Sequence, residues 1–284
     1  MKKVGWLFCI FSVLLTLVFV SGVLAQEGKP PGEQKRVIEE TLVLKDPTVS
    51  AAGKWVVGGA LEYWYIKGKY ELYDSNGVLQ AQGDMTGGMP GGNIFLGYGD
   101  FTFNYAFRKG SFNGDFNYTN GCNTHDEQDQ QEHEATFRWL MRGLSSPHIT
   151  PYLLAGYTQI KLDETETILT AGYTWKYNGL KVKNTTSEYK APLVGIGAIF
   201  PVNEYFGLRA DGRVLWSKAT KTYDNGYEYS GSGVGGSVVG TAYVNIWEGL
   251  NLQVGGKFLA LNGGDAGSYS KFGGFAMLGY SYKF

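Results

Sequence analysis

Three observations predict an all-β fold: an antiparallel up-and-down β-barrel of ten strands that crosses a membrane. Apolar and polar residues alternate with period two from Lys54 to the C-terminus, where helical periodicity is scarce. Gly reaches 42 of 284 residues, and aromatic residues, 15% of the chain, bracket the apolar faces. Beyond residue 25 no apolar run approaches the ~18 residues of a membrane helix, which excludes a helical multi-span protein. The formal net charge of −1 offers no basic field for nucleic acid.

Residues 1–25 read as a signal peptide: Lys2 and Lys3, an apolar stretch from Val4 to Val20, and Val23-Leu24-Ala25 as a small-residue cleavage site. Its removal takes away Cys9 and leaves Cys122 as the one thiol, so the mature chain forms no internal disulfide. Residues 26–53, with Pro30, Pro31, Gly32 and Pro47 among many charges, read as a flexible periplasmic leader. The sharper alternative is a segment that docks against, or partly plugs, the domain at 54–284.

Each barrel segment shows one apolar and one polar face. In 55–65, Trp55, Val57, Leu61, Tyr63 and Tyr65 oppose Glu62 and Trp64. In 93–107, Phe95, Phe101, Phe103, Tyr105 and Phe107 oppose Tyr98, Asp100, Thr102 and Asn104. Segment 111–118 sets Phe112, Phe116 and Tyr118 against Ser111, Asn113 and Asp115; 134–142 sets Phe137, Trp139 and Met141 against Glu134, Thr136 and Arg138. Tyr152, Leu154, Ile160 and Leu162 oppose Tyr157, Gln159, Lys161 and Asp163, and 190–200 is ambiguous in phase. In 205–217, Phe206, Leu208, Val214 and Trp216 oppose Arg209, Asp211 and Arg213. Val234, Val238, Val244 and Ile246 then oppose Ser237, Thr241 and Tyr243, while Leu252, Val254 and Phe258 oppose Gln253 and Lys257. The tenth segment sets Phe272, Leu278, Tyr280, Tyr282 and Phe284 against Lys271, Ser281 and Lys283. Eight strands is the alternative, if 111–118 and 190–200 do not span.

A soluble barrel or sandwich also alternates, with its apolar side inward. Three features favour lipid outside. Connections alternate between short (108–110, 143–149, 201–204, 248–249) and long (67–92, 119–133, 164–189, 218–233), as in transmembrane barrels. Aromatics lie ten residues apart at Trp55/Tyr65, Phe95/Tyr105 and Phe206/Trp216, which matches a tilted strand of ~9–11 residues with two interfacial belts. Mid-strand charges on the opposite faces suit a wet or salt-bridged lumen better than a dry core. They define a lumen network of Glu62, Asp100, Asp115, Arg138, Arg209, Asp211, Arg213 and Lys257.

The C-terminal run Gly279-Tyr280-Ser281-Tyr282-Lys283-Phe284 resembles the assembly signal of Gram-negative outer-membrane β-barrels, in which a Gly precedes alternating aromatics and a final Phe. The architecture of 54–284 resembles that of OmpA/OmpX-like barrels. The resemblance implies an outer-membrane location and insertion by the barrel-assembly machinery, with Gly279, Tyr282 and Phe284 as the signal. Outer-membrane lipid and lipopolysaccharide are the expected surroundings. It implies no reaction, because the fold hosts many functions.

The connections carry little recognisable chemistry. Asn76-Gly77, Asn178-Gly179 and Asn225-Gly226 are hairpin-turn dipeptides. Residues 87–92 are Gly-rich without the Lys-Ser/Thr of a phosphate loop, and read as a flexible tip. The stretch 120–133 holds Asp126, Glu127, Asp129, Glu132, His125, His133 and Cys122. A divalent cation could find ligands there, but a solvated acidic loop explains the same residues. Omptin surface proteases are ten-stranded barrels with acidic residues and a His at the outer rim, but their motif does not map onto this chain. The expectation is a non-enzymatic barrel with surface loops and no cofactor, catalytic residue or metal; the alternatives are a narrow solute pore and a surface hydrolase.

Overall fold

The computed structural model describes residues 46–50, 53–73, 79–119, 121–146, 148–170, 181–203 and 205–284. The signal peptide, most of the leader, and the Asn76-Gly77 and Asn178-Gly179 tips lie outside them. Ten antiparallel strands form the wall: β1 (Trp55–Tyr73), β2 (Leu79–Tyr98), β3 (Phe101–Tyr118), β4 (Asn123–Leu140), β5 (Thr150–Thr170), β6 (Lys181–Pro201), β7 (Phe206–Tyr223), β8 (Glu228–Trp247), β9 (Leu250–Asn262) and β10 (Ser268–Lys283). Each pairs with its sequence neighbour, and β1 pairs with β10 to close the barrel. The seam ends where Trp55 N–H donates to Phe284 O at 2.8 Å and Phe284 N–H returns the bond to Trp55 O at 3.1 Å. Closure leaves no sheet edge to be satisfied in lipid.

The ten-strand count holds, but the partition of 67–133 changes. The segment 93–107 is the end of β2 and the start of β3, folded back at Gly99-Asp100. Gly99 has φ +57°, which suits the first position of a two-residue hairpin loop. The pleat phase therefore reverses there: Phe95 is buried inside, whereas Phe101 and Phe103 face out. Residues 108–110 lie within β3, and 111–118 is its second half. The β2–β3 ladder skips from Gly88↔Ser111 to Gly91↔Arg108, opposite Pro90, which has no N–H to give. The Gly-rich stretch 87–92 is strand rather than tip. A side chain at Gly87 would strike Phe112, and one at Gly88 would strike Tyr63.

The stretch 120–133 is likewise mostly strand, because β4 starts at Asn123. Strands run from 13 to 21 residues, against the ~9–11 that cross a bilayer. The surplus stands beyond the lipid. Outward-facing Trp55, Leu61, Tyr65, Leu96, Phe103, Trp139, Leu208, Trp216, Leu252 and Leu278 form the lipid-facing band. It lies at the end that holds Trp55, Phe284 and the short turns at 99–100, 141–149, 202–205 and 248–249. Glu248-Gly249 carries the one positive φ outside Gly among the described residues.

Two segments present their apolar faces inward instead of outward. On 111–118, Phe112 and Phe116 are buried, and they join Trp64, Ile66, Met85, Met89 and Phe275 in one cluster. On β5, Tyr152, Leu154, Ile160 and Leu162 are buried and pack with Tyr189, Leu193, Leu259, Leu261 and Tyr269. Phe112, Phe116, Ile160 and Leu162 belong to the upper wall, which stands in water and packs apolar side chains inside, whereas Tyr152 and Leu154 lie in the lower barrel near the 141–149 turn.

Candidate functional site

The barrel interior holds the molecule's concentrated chemistry, built from inward positions at period two. On β4 these are Thr124, Asp126, Gln128, Gln130, Glu132 and Glu134, all buried. Glu132 is fully enclosed. It accepts from Arg108 Nη1 at 2.9 Å, from Lys257 Nζ at 3.1 Å and from Lys271 Nζ. Arg108 also pairs with Glu62 on β1. Lys257 continues to Glu134 at 2.6 Å, and Glu134 accepts from Arg213 at 2.8 Å. Arg213 pairs with Asp211, whose carboxylate also accepts from Tyr152 OH at 3.0 Å. A continuous chain of alternating charge thus crosses the lumen from β1 to β7.

Trp64 forms one side of this chain. The cationic groups of Arg108, Lys257 and Lys271 lie 4.6, 5.3 and 5.2 Å from its ring. A ring face attracts each of them. Every carboxylate in the chain has a cationic partner, which offsets the cost of burying charge.

Below the network, residues 46–50 lie inside the barrel mouth. Asp46, Thr48, Val49 and Ser50 are all buried. Asp46 accepts from Thr48 N–H at 2.8 Å, which bends the segment into a turn, and pairs with Arg209 at 3.1 Å. The wall supplies the other donors. Arg138 Nη1 reaches Thr48 Oγ1 at 3.0 Å, Thr102 Oγ1 reaches Thr48 O at 3.1 Å, and Arg142 Nη2 reaches Ser50 O at 2.7 Å. Val49 packs with Leu140, Tyr152, Ile199 and Tyr243. These five residues, termed the plug below, are held against the inner wall at the barrel mouth.

Of the eight expected lumen charges, Glu62, Arg138, Arg209, Asp211, Arg213 and Lys257 line the interior. Asp100 and Asp115 do not. Asp100 sits in the 99–100 turn and pairs with Arg142 at the rim. Asp115 faces out from upper β3 and pairs with His125 Nδ1 at 2.7 Å. Arg108, Glu132, Glu134 and Lys271 complete the network. Arg108 and Glu132 fell in stretches read as connections, although extending the alternation of Thr102-Asn104-Ala106 by one step places Arg108 inside. Glu134 and Lys271 were already on inward polar faces.

The candidate metal ligands of 120–133 divide between the two sides of β4. His125, Glu127, Asp129 and His133 face out, whereas Asp126 and Glu132 face in. Among the described residues no three His, Cys, Asp or Glu side chains gather to hold a metal. His133 Nδ1 bonds Tyr105 OH at 2.7 Å on the outer wall, and His148 lies in the 141–149 turn. Cys122 is buried.

Near the outer rim, Asp126 and Glu166 are direct cross-strand partners facing inward, with Glu164 one step below. Asp126 lies well above the membrane-spanning part of β4, and burial, then the Glu166 and Glu164 charges, push its carboxyl up to about 7. Tyr118 OH donates to Glu166 at 3.0 Å.

No family model matches the chain, and no curated protein matches it in sequence. Solved structures do. The outer-membrane protease OmpT of Escherichia coli superposes with a TM-score of 0.53 at 14% identity, over 81% of this chain and 97% of that one. The translocator domain of the autotransporter NalP from Neisseria meningitidis matches with a TM-score of 0.43 at 13% identity, over 92% and 96% of the two chains. Ail, the attachment invasion locus protein of Yersinia pestis, matches with 0.36 at 11% identity, over 82% and 100%. The fold is that of the Gram-negative outer-membrane β-barrels, here with ten strands.

Proposed function

We propose that this protein is a closed, non-enzymatic barrel of the outer membrane, exported through a cleaved signal peptide at 1–25. Its work is done on the outer portion that stands clear of the lipid. The filled interior carries this reading: the charge chain from Glu62 to Asp211 crosses the lumen, and Asp46–Ser50 fills the mouth beneath it. A ten-stranded barrel is only slightly wider than the eight-stranded kind whose side chains fill it. Lipopolysaccharide and outer-membrane lipid are its surroundings. The barrel-assembly machinery recognises Gly279, Tyr282 and Phe284, and the two aromatic rings face outward and stack with centroids 5.7 Å apart.

The test is conductance of the purified mature protein in planar bilayers. The parent gives no resolvable channels, and the Arg138→Ala/Arg213→Ala double variant leaks. Steady, defined channels from the parent would promote the pore reading. Cleavage of peptide or lipid by the purified barrel would promote a hydrolase.

A further inference from the structure

Directly above Thr48 of the plug lies a cavity of about 90 Å3 within the lumen. Five cationic side chains line it, namely Arg108, Arg138, Arg209, Arg213 and Lys257, against the two carboxylates Glu134 and Asp211. Four of the five have a carboxylate within ion-pair distance. Arg138 does not. Its guanidinium bonds the neutral Thr48 hydroxyl at 3.0 Å and lies 5.0 Å from the Tyr152 ring centre. Across the described interior from residues 46–50 to the Trp64 layer, seven bases (those five, Lys271 and Lys283) face five acids (Asp46, Glu62, Glu132, Glu134 and Asp211). The interior therefore carries surplus positive charge; Lys283 lies at the mouth against Asp46 O at 3.4 Å, and Arg138 is the cavity's own share of that surplus.

An arginine cannot shed its proton to relieve that imbalance. A buried charge without a counter-charge is among the costliest features a fold can carry. Hydroxyl and ring contacts solvate Arg138 without neutralising it. The cavity is far below the ~300–1,000 Å3 of sites for drug-sized ligands, so nucleotides, sugars and peptides are too large. Asn104, Thr136 and Thr241 add amide and hydroxyl donors to its lining.

We propose that this cavity is a binding site for a small monovalent inorganic anion of the halide class, held against Arg138 between the plug and the charge chain. The anion supplies the missing counter-charge. Because Arg138 also grips Thr48, the anion and the plug stabilise each other.

The experiment uses the full mature protein in detergent. Its thermal unfolding midpoint is titrated with chloride and bromide against gluconate at constant ionic strength, and crystals are soaked in bromide. The expected result is a saturable rise of the midpoint with either halide and an anomalous peak beside the Arg138 guanidinium. Arg138→Gln removes the rise. Lys161→Gln, on the exposed outer wall and in contact with neither the cavity nor residues 46–50, keeps it. If Arg138→Gln does not insert, the bromide peak in the parent decides alone. A cavity free of bromide, or an undiminished halide dependence in Arg138→Gln, overturns the proposal. A larger effect from phosphate than from halide overturns the assignment to a monatomic anion.

Discussion

Along β3 the outward side chains change from Phe101, Phe103 and Phe107 to Ser111 and Asp115, while the inward ones change from Thr102 and Arg108 to Phe112 and Phe116. The two halves of one strand thus obey opposite rules. In lipid, the outside of the wall is apolar and the inside can hold paired charge. In water, the outside is polar and the inside needs an apolar core, supplied here by Phe112, Phe116, Ile160, Leu162, Leu259, Leu261 and Tyr269. The pleat continues across the interface, but the solvent changes. An apolar face on its own therefore reports the pleat and leaves the direction open.

The largest test of the contrast is on the charge chain. Glu132→Gln leaves Arg108, Lys257 and Lys271 around a neutral amide, and should cost about 3–5 kcal/mol in urea unfolding from vesicles. A cost below about 1 kcal/mol would mean that water already solvates the chain. The outer surface comes next. Leu61→Lys, at the centre of the lipid-facing run of β1, should cost about 2–4 kcal/mol. Asp115→Lys on upper β3 should stay within about 0.5 kcal/mol in the same assay, because that wall is in water. Equal costs at the two positions would erase the distinction between the halves.

Asp46→Ala removes the carboxylate partner of Arg209 and should weaken plug docking by about 1–3 kcal/mol. Protease cleavage near residues 46–50 reads this directly, and the barrel itself should remain folded. A smaller effect concerns the outer end. The Asp126 carboxyl is raised to about 7 by burial and by Glu166 and Glu164, so the folded state holds a proton that the unfolded chain has released. Its contribution is present at low pH and falls as pH rises from about 4 to about 7. Hydrogen exchange at the outer ends of β4 and β5 should accelerate over that window in the parent and less in Asp126→Asn. A small stability effect is also expected for Phe284→Ala. That ring faces outward at the seam, so its loss should slow assisted insertion while changing the finished barrel by under about 1 kcal/mol.

Much of the lower barrel was legible because lipid imposes a one-sided pattern. Trp55 to Tyr65, Phe137 to Trp139, Leu208 to Trp216 and Leu252 to Val254 all face as their alternation implies. The upper barrel was obscured for a physical reason. On Asn123–Glu134 both faces are polar, so the period of two has no contrast to display, and a strand reads as an acidic loop. At 87–92 the glycines leave room for Phe112 and Tyr63, and small residues on a crowded wall look like a flexible tip. Six of the eight lumen charges were accessible from phase alone. Asp115 was lost where the solvent changed, and Asp100 where the hairpin at Gly99 reversed the phase. The partner that Asp46 finds in Arg209, 163 residues away, left no local trace.

The most direct test of the two-solvent wall is a single-cysteine scan in intact cells, in a Cys122→Ser background, with a membrane-impermeant thiol reagent. Labelling is expected at Asn123, Glu127 and Ser111, with protection at Leu61, Trp139 and Ser146. Labelling at Ser146 together with protection at Asn123 and Glu127 would contradict the account, because it would put the short turns outside the cell and the water-standing wall within.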